Sequence, residues 1–302
     1  MSKKPVVVGP DPPVFSFSRA HAARVEINSR DRVRFETSDV SYRNLTGEAL
    51  DSGRVSFQRL NALAGSVAIA GAEPGDALAV QIERIDVGET AYSPYVAHWR
   101  SRLFGVRDSS VASYPIREGV VDLGGGKLVR LRPMIGCAGV APTEGELSAL
   151  SPTGPTGGNM DLVELSPGAT LWLPVEVPGA LFALGDLHAA MGRGEPTGAG
   201  LECAGSATVR FEVAKGLSIS GPRVETSTQI SFVGTDPRNT DRAIAVAIRT
   251  AWLWLTTDRN VAVREALTLC SALLDVNLGG PAGANAVASF DRVRLSEAGV
   301  NG

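Results

Sequence analysis

Polar and apolar residues alternate along the first third of the chain. Phe15 and Phe17, Val25 and Ile27, then Val33 and Phe35 each sit two apart between polar neighbours. A period of two is the mark of strands with one face buried. Val67-Ala68-Ile69-Ala70 and Leu78-Ala79-Val80-Gln81-Ile82 flank the turn Glu73-Pro74-Gly75-Asp76, a pattern that predicts a hairpin. Further on, the apolar run from Leu171 to Leu184 reads as buried strands, and Val209–Val213 and Gln229–Val233 as two more. The period then changes. Thr240 and Asp241 offer capping chemistry for a helix with Ile244, Ala247, Ile248, Ala251 and Leu255 on one stripe. A second helix begins near Asp258 or Asn260, with Val263, Ala266, Leu267, Cys270, Leu273 and Leu274 at core-facing spacing. The expected fold is mainly β or α+β, a multi-stranded, sandwich-like body with a C-terminal helical pair.

Composition agrees with that pattern. The 34 glycines and 18 prolines, against four Trp and four Tyr, suit short strands joined by tight turns. A chain of 302 residues that is 44% hydrophobic can bury a large core. Gly124-Gly125-Gly126 marks a sharp turn, so a boundary is expected there between an N-terminal β domain (1–125) and a C-terminal α+β domain (126–302). The formal net charge is −3 with both signs interspersed, which lacks the basic stripe of a nucleic-acid binder. No apolar run has the length of a membrane-spanning helix or of a signal-peptide core, so no membrane partner and a cytoplasmic location are expected. Cys137, Cys203 and Cys270 lie in apolar segments without metal-site spacing and read as small buried hydrophobes.

The chemistry concentrates in Gly185-Asp186-Leu187-His188-Ala189-Ala190-Met191-Gly192-Arg193-Gly194-Glu195. Asp186 and His188, two apart on extended backbone, point to one face, and the polar atoms are expected to emerge at a strand end. Gly192 and Gly194 free the chain to bring Glu195 back toward them. The long turn-rich stretch 143–161 ends in Gly157-Gly158-Asn159-Met160-Asp161, where glycines permit close approach of a ligand, Asn159 is both donor and acceptor, and Asp161 can ligate a metal or orient a water. The aromatic stretch Tyr92–Arg100 is expected to form a loop over a pocket or a domain contact. His98, within it, is a candidate substrate-binding residue or a hydrogen-bonded structural histidine.

These residues resemble the acetamidase/formamidase family of amide hydrolases, whose members carry Gly-Asp-x-His-Ala-Ala-x-Gly-Asp-Gly-Glu. Arg132-Pro133-Met134-Ile135-Gly136 with Gly139-Val140-Ala141-Pro142, the 157–161 segment, and Gly71-Ala72-Glu73-Pro74-Gly75-Asp76 resemble further family segments, in order along nearly the whole chain. Asp39, in Glu36-Thr37-Ser38-Asp39, resembles a family carboxylate delivered from a strand end, or else simply opens a turn. Several positions depart from the pattern: Thr156 stands where the family has a histidine, Arg193 where it has an acidic residue, and the segments 61–66 and 281–285 also differ. The resemblance implies a hydrolase of formamide, acetamide or a larger amide, and a homo-oligomer.

No Gly-x-Ser-x-Gly segment is present, and the Ser-Lys arrangement of other amidases lacks support, which leaves a metal- or carboxylate-assisted water. Asp186 and His188 are the expected ligands of a divalent ion, zinc, completed by Asp39 or Asp161. Glu195 is the expected general base and Asn159 an oxyanion donor. Arg193, Gly157 and Gly158 are candidate substrate contacts; Arg193 either receives a carboxylate on the substrate, stands in water at the loop tip, or pairs with Glu195. Two alternatives stay open: a degenerate relative that binds a small polar ligand, and a relative recruited to another reaction on a carbonyl or imine.

Overall fold

The computed structural model describes residues 4–45, 60–95, 104–105, 107–236, 238–280 and 285–300. The alternating segments do form strands, at Ser16–Ser18, Val25–Ile27 and Arg32–Thr37, with Phe17, Ile27, Val33 and Phe35 all buried. Among the described residues, 17 strands join into one mixed sheet, and Ser16–Ser18 pairs with Glu146–Ser148 as a separate ribbon. The mainly-β body with helices near the C-terminus is the observed fold. No helix of the described residues is long and apolar enough to cross a membrane.

One strand organises the site. Phe182–Ala190 is buried at all nine positions and pairs with Leu63–Ile69, Met134–Gly139 and Leu201–Ala214. A strand flanked by neighbours and covered on both faces has no solvent side, which is why its sequence is a nearly unbroken apolar run rather than an alternation. The 19-residue strand Ala77–Tyr95 runs antiparallel to Leu201–Ala214 from Ala77↔Ala214 to Tyr92↔Glu202, and also pairs with Thr170–Pro174.

The expected hairpin around residues 73–76 is not one. Leu63–Ile69 ladders with Val25–Ile27 and Phe182–Ala190, while Ala77–Tyr95 ladders with the partners just named. The turn hands the chain from one set of partners to another. Nor does a break in the core fall near 125/126. Strands from both sides pair with one another, and Phe35, Phe182 and Phe211 meet edge-to-face at 5.1–6.4 Å in one cluster.

A second cluster lies wholly in residues 230–300, around Phe232, Trp254 and Phe290. The first C-terminal helix is Thr240–Leu253, and its cap is Asn239, which accepts from the Arg242 N–H at 3.1 Å, rather than Thr240 or Asp241. Leu255 belongs to a π turn, Trp254–Asp258, that extends it. The second helix is Val263–Leu273 and departs from its expected stripe: Ala266 is buried, but Val263 and Leu267 are more than half exposed. Only one edge of this 11-residue helix meets the core, so spacing that looked core-facing is spent partly on solvent.

Candidate functional site

Asp186 and His188 sit in the middle of the Phe182–Ala190 strand, not at its end, and His188 is fully buried. In the ladders, His188 lies opposite Met134 on one side and Glu202 on the other. Three carboxylates surround its Nε2: Glu202 Oε2 at 3.1 Å, Asp186 Oδ2 at 3.6 Å and Asp161 Oδ1 at 3.7 Å. Glu195 also reaches the cluster, offering an oxygen within 4.8 Å of donor atoms of His188 and Glu202. The site is therefore assembled from the 157–161 segment, the central strand, the glycine-rich loop after it and the strand after that.

Strain accompanies this convergence. Asp161 (φ 45°), Asp186 (φ 58°) and Glu195 (φ 43°) all adopt left-handed backbone, which L-residues with a Cβ avoid. Each such residue costs on the order of 1–2 kcal/mol and persists only when its surroundings over-determine it. Three of the acids at one centre carry that cost. Space is equally tight: a Cβ on Gly136 would lie 2.5 Å from Asp186 Oδ2 and 2.7 Å from Asp161 Oδ1, so only glycine leaves these oxygens where they are.

Supporting groups hold Asp186. The Tyr42 hydroxyl donates to its Oδ1 at 2.7 Å, and Asn61 Nδ2 to its Oδ2 at 2.9 Å. The Cys137 thiol donates to Asn159 Oδ1 at 3.1 Å, lies 3.2 Å from the Ala149 carbonyl, and is pushed well up by burial and by the charges of Asp186 and Asp161. It is a packed hydrogen-bond donor, not a nucleophile.

Among the described residues, four buried carboxylates, those of Asp161, Asp186, Glu195 and Glu202, gather around one imidazole. Burial, with Glu195 and Asp186 nearby, raises the Asp161 carboxyl well above its usual range. Burial likewise raises Glu202. Against its burial, His188 is held well above its ordinary value by Glu202 and Asp186. The Asp186 carboxyl is lowered despite burial, by His188 and then Tyr42. Meanwhile His188 Nε2, Asp161 Oδ1 and Glu202 Oε2 make no hydrogen bond. Buried polar atoms left without hydrogen bonds are uncommon, and a catalytic role or a place for a water or an ion is the ordinary explanation. Zinc–ligand bonds of about 2.0–2.2 Å put neighbouring tetrahedral donors roughly 3.3–3.6 Å apart. His188 Nε2 lies 3.1–3.7 Å from the three carboxylates, and the donors fall into two triads that share it, Asp161–Asp186–His188 and His188–Glu195–Glu202; one imidazole with carboxylates suits zinc or a similar divalent ion.

Several expected residues lie elsewhere. Asp39 is outside this cluster: its carboxylate pairs with Arg43, one helical turn on, and accepts from the Tyr92 hydroxyl at 2.9 Å. Tyr92 stacks on Tyr42, so Asp39 stands two side chains behind the centre. Arg193 pairs with Glu164 at 2.6 Å. Gly157 and Gly158 form a strand with Asn159, and a Cβ on them would collide with Ala138, Gly139 and Leu147; the close approach they permit is to the protein's own neighbours. Asn159 is buried beside Cys137. Thr156 is buried too. His98 falls outside the described residues. Sequence reasoning missed Glu202, Tyr42 and Asn61. The one available signal was a carboxylate inside the apolar stretch Leu201-Glu202-Cys203-Ala204.

With this geometry in view, the acetamidase/formamidase family model matches residues 129–276, which span the central strand and all four acids. The acetamidase of Bacillus halodurans superposes over 98% of this chain and 100% of its own, with a TM-score of 0.89 at 29% identity. The chain belongs to the acetamidase/formamidase family. A predicted acetamidase/formamidase of Thermoanaerobacter tengcongensis is similarly close, with a TM-score of 0.89 at 27% identity over 98% of this chain and 99% of that one. A candidate formamidase of Schizosaccharomyces pombe is 47% identical over 60 residues, which are 20% of this chain and 15% of that protein, so this similarity spans a small part of that relative's length. At 18% identity and a TM-score of 0.63, a gamma lactamase of Delftia acidovorans shares the fold.

Proposed function

We propose that this family member is a metal-assisted hydrolase of carbon–nitrogen amide bonds, acting on short linear amides of the formamide and acetamide class. The observation that carries the reading is the convergence of unsatisfied, buried donor atoms of His188, Asp161 and Glu202 with Asp186 on one small volume. Asp186, His188 and Glu202 would hold a divalent ion, zinc, with Asp161 completing the set. When bound, such an ion acts as a Lewis acid and brings the acidity of water to near neutrality.

The rest falls to the chain. Glu195 accepts a proton from water as its oxygen bonds to the amide carbon, and returns that proton to the departing nitrogen as the carbon–nitrogen bond breaks. The products are a carboxylic acid and ammonia or an amine. Asn159, whose Oδ1 is engaged by Cys137, keeps its Nδ2 as the donor for the developing oxyanion. Tyr42 and Asn61 fix the Asp186 carboxylate, as hydrogen-bonded partners of metal ligands generally do. Burial of the whole group strengthens each of these interactions relative to water.

Metal analysis of the purified protein, with ammonia release from formamide, acetamide and longer amides, tests this. About one divalent ion per chain and turnover abolished by chelation are expected. Full turnover after chelation, or turnover untouched in the Asp186→Ala/His188→Ala double variant, would end the reading. Stoichiometric metal without turnover of any amide would leave a ligand-binding relative instead.

A further inference from the structure

The Arg193–Glu164 ion pair lies outside the centre yet joins two of the segments that build it. Arg193 is two residues before Glu195, and Glu164 three residues after Asp161. Their charged heads approach to 2.6 Å. Glu164 is almost wholly buried, and Arg193 is its carboxylate's one polar contact among the described residues. Arg193 reaches in from a half-exposed position.

Both ends of the pair lead straight into left-handed backbone. After Arg193 come Gly194 (φ 80°) and Glu195 (φ 43°), closed by a turn in which the Glu195 N–H donates to the Gly192 carbonyl at 3.0 Å. Before Glu164 comes Asp161 (φ 45°), whose N–H donates to the Gly136 carbonyl at 3.1 Å. A loop in such a conformation relaxes unless something fixes it. A guanidinium paired with a buried carboxylate is an ion pair that is strongly unfavourable to break on one side only.

We propose that Arg193 and Glu164 are positioning residues, a clamp that holds the Glu195 loop against the Asp161 segment so that the two carboxylates face each other across the site. The pair touches no reacting group. It also removes Arg193 from service as a receptor for a substrate carboxylate, since its charge is already matched. The catalytic consequence rests on the function proposed above; the mechanical one does not.

The test compares Arg193→Met, which strands a buried charge, with the neutral double variant Arg193→Met/Glu164→Met, which removes the tie without leaving an unpaired charge. Hydrogen exchange of peptides covering residues 190–200 and 159–166 is the first readout. In the double variant, melting temperature is expected at the wild-type level while both segments exchange faster. Unchanged exchange in both segments overturns the proposal, whatever the activity. Ammonia release is the second readout. The double variant is expected to lose roughly 10- to 100-fold in kcat with KM within a few-fold, as a misplaced reacting group does, and the charge-swapped Arg193→Glu/Glu164→Arg to recover part of it. Wild-type kcat in a fully stable double variant would show the pair to be structural only. If the wild-type protein turns over no amide but the exchange result holds, the proposed function falls and the clamp stands.

Discussion

Gly136 is the residue on which the site's geometry is least forgiving. A Cβ there would fall on the Asp186 and Asp161 carboxylates, so Gly136→Ala is expected to displace both oxygens while leaving the surrounding strand paired. Metal content should fall below stoichiometry and amide turnover by about 100-fold, the order of loss for reacting groups misplaced by about an ångström; a fully loaded, fully active variant would contradict this. Glu202 and Asp39 make a paired comparison. Glu202→Gln removes a charge 3.1 Å from His188 Nε2 and is expected to lower metal affinity at least tenfold in titration, whereas Asp39→Asn acts only through Tyr92 and should leave affinity within about threefold. These contrasts also show what could be read beforehand. Asp186 and His188 were legible because residues two apart on a strand share a face, and Glu195 because two glycines precede it. Glu202 was not, since its place opposite His188 is fixed by strand register, which one sequence does not reveal. Asp39 misled for the opposite reason: Arg43, four residues on, captures it locally.

At the scale of elements, small residues set how closely helix and sheet approach. Ala243, Ala247 and Ala251 form the buried face of the Thr240–Leu253 helix, and a Cβ on Gly234 would collide with the backbone of Ala243 and Ala247. Gly234→Val is expected to lift the helix off the Gln229–Thr235 strand at a cost of about 1–3 kcal/mol or more, measured by denaturant unfolding. That helix was legible from its stripe. The Val263–Leu273 helix was legible as a helix but not in its burial, because periodicity marks an apolar face without saying whether anything covers it. The 73–76 turn holds a pH-dependent contact. Asp76 accepts from the N–H groups of Glu73 and Gly216 and from Lys215 Nζ at 2.7–2.9 Å. Burial opposes ionisation, but Lys215 and these N–H groups win and hold the carboxyl below its usual value. A depressed folded-state pKa adds stability that is complete above the unfolded-state value of about 3.9 and disappears as pH falls through the folded-state value. Asp76→Asn should therefore cost about 1–2 kcal/mol at neutral pH and progressively less below pH 4, followed as the difference in unfolding free energy.

For the molecule as a whole, the mainly-β character was legible in alternation and glycine content, while the way the two halves interleave was not. The glycine triplet at 124–126 looked like a seam because turn chemistry is local, and only the ladders show that Ala77–Tyr95 finds its longest partner in Leu201–Ala214. A chain ending at residue 125 would carry a 19-residue strand with neither that partner nor Thr170–Pro174, and is expected to aggregate rather than give a cooperative unfolding transition.

That same pairing dictates a timetable. While the polypeptide is being made, residue 77 waits for residue 214, and the loop closed between them is long enough for entropy to slow the encounter. The carboxylates and the imidazole come together only near the end of this wait. An ion of the kind proposed for that centre would therefore meet a chain whose second core, in residues 230–300, is still to be made, and a ribosome-bound intermediate could take it up only after Glu202 has cleared the exit tunnel.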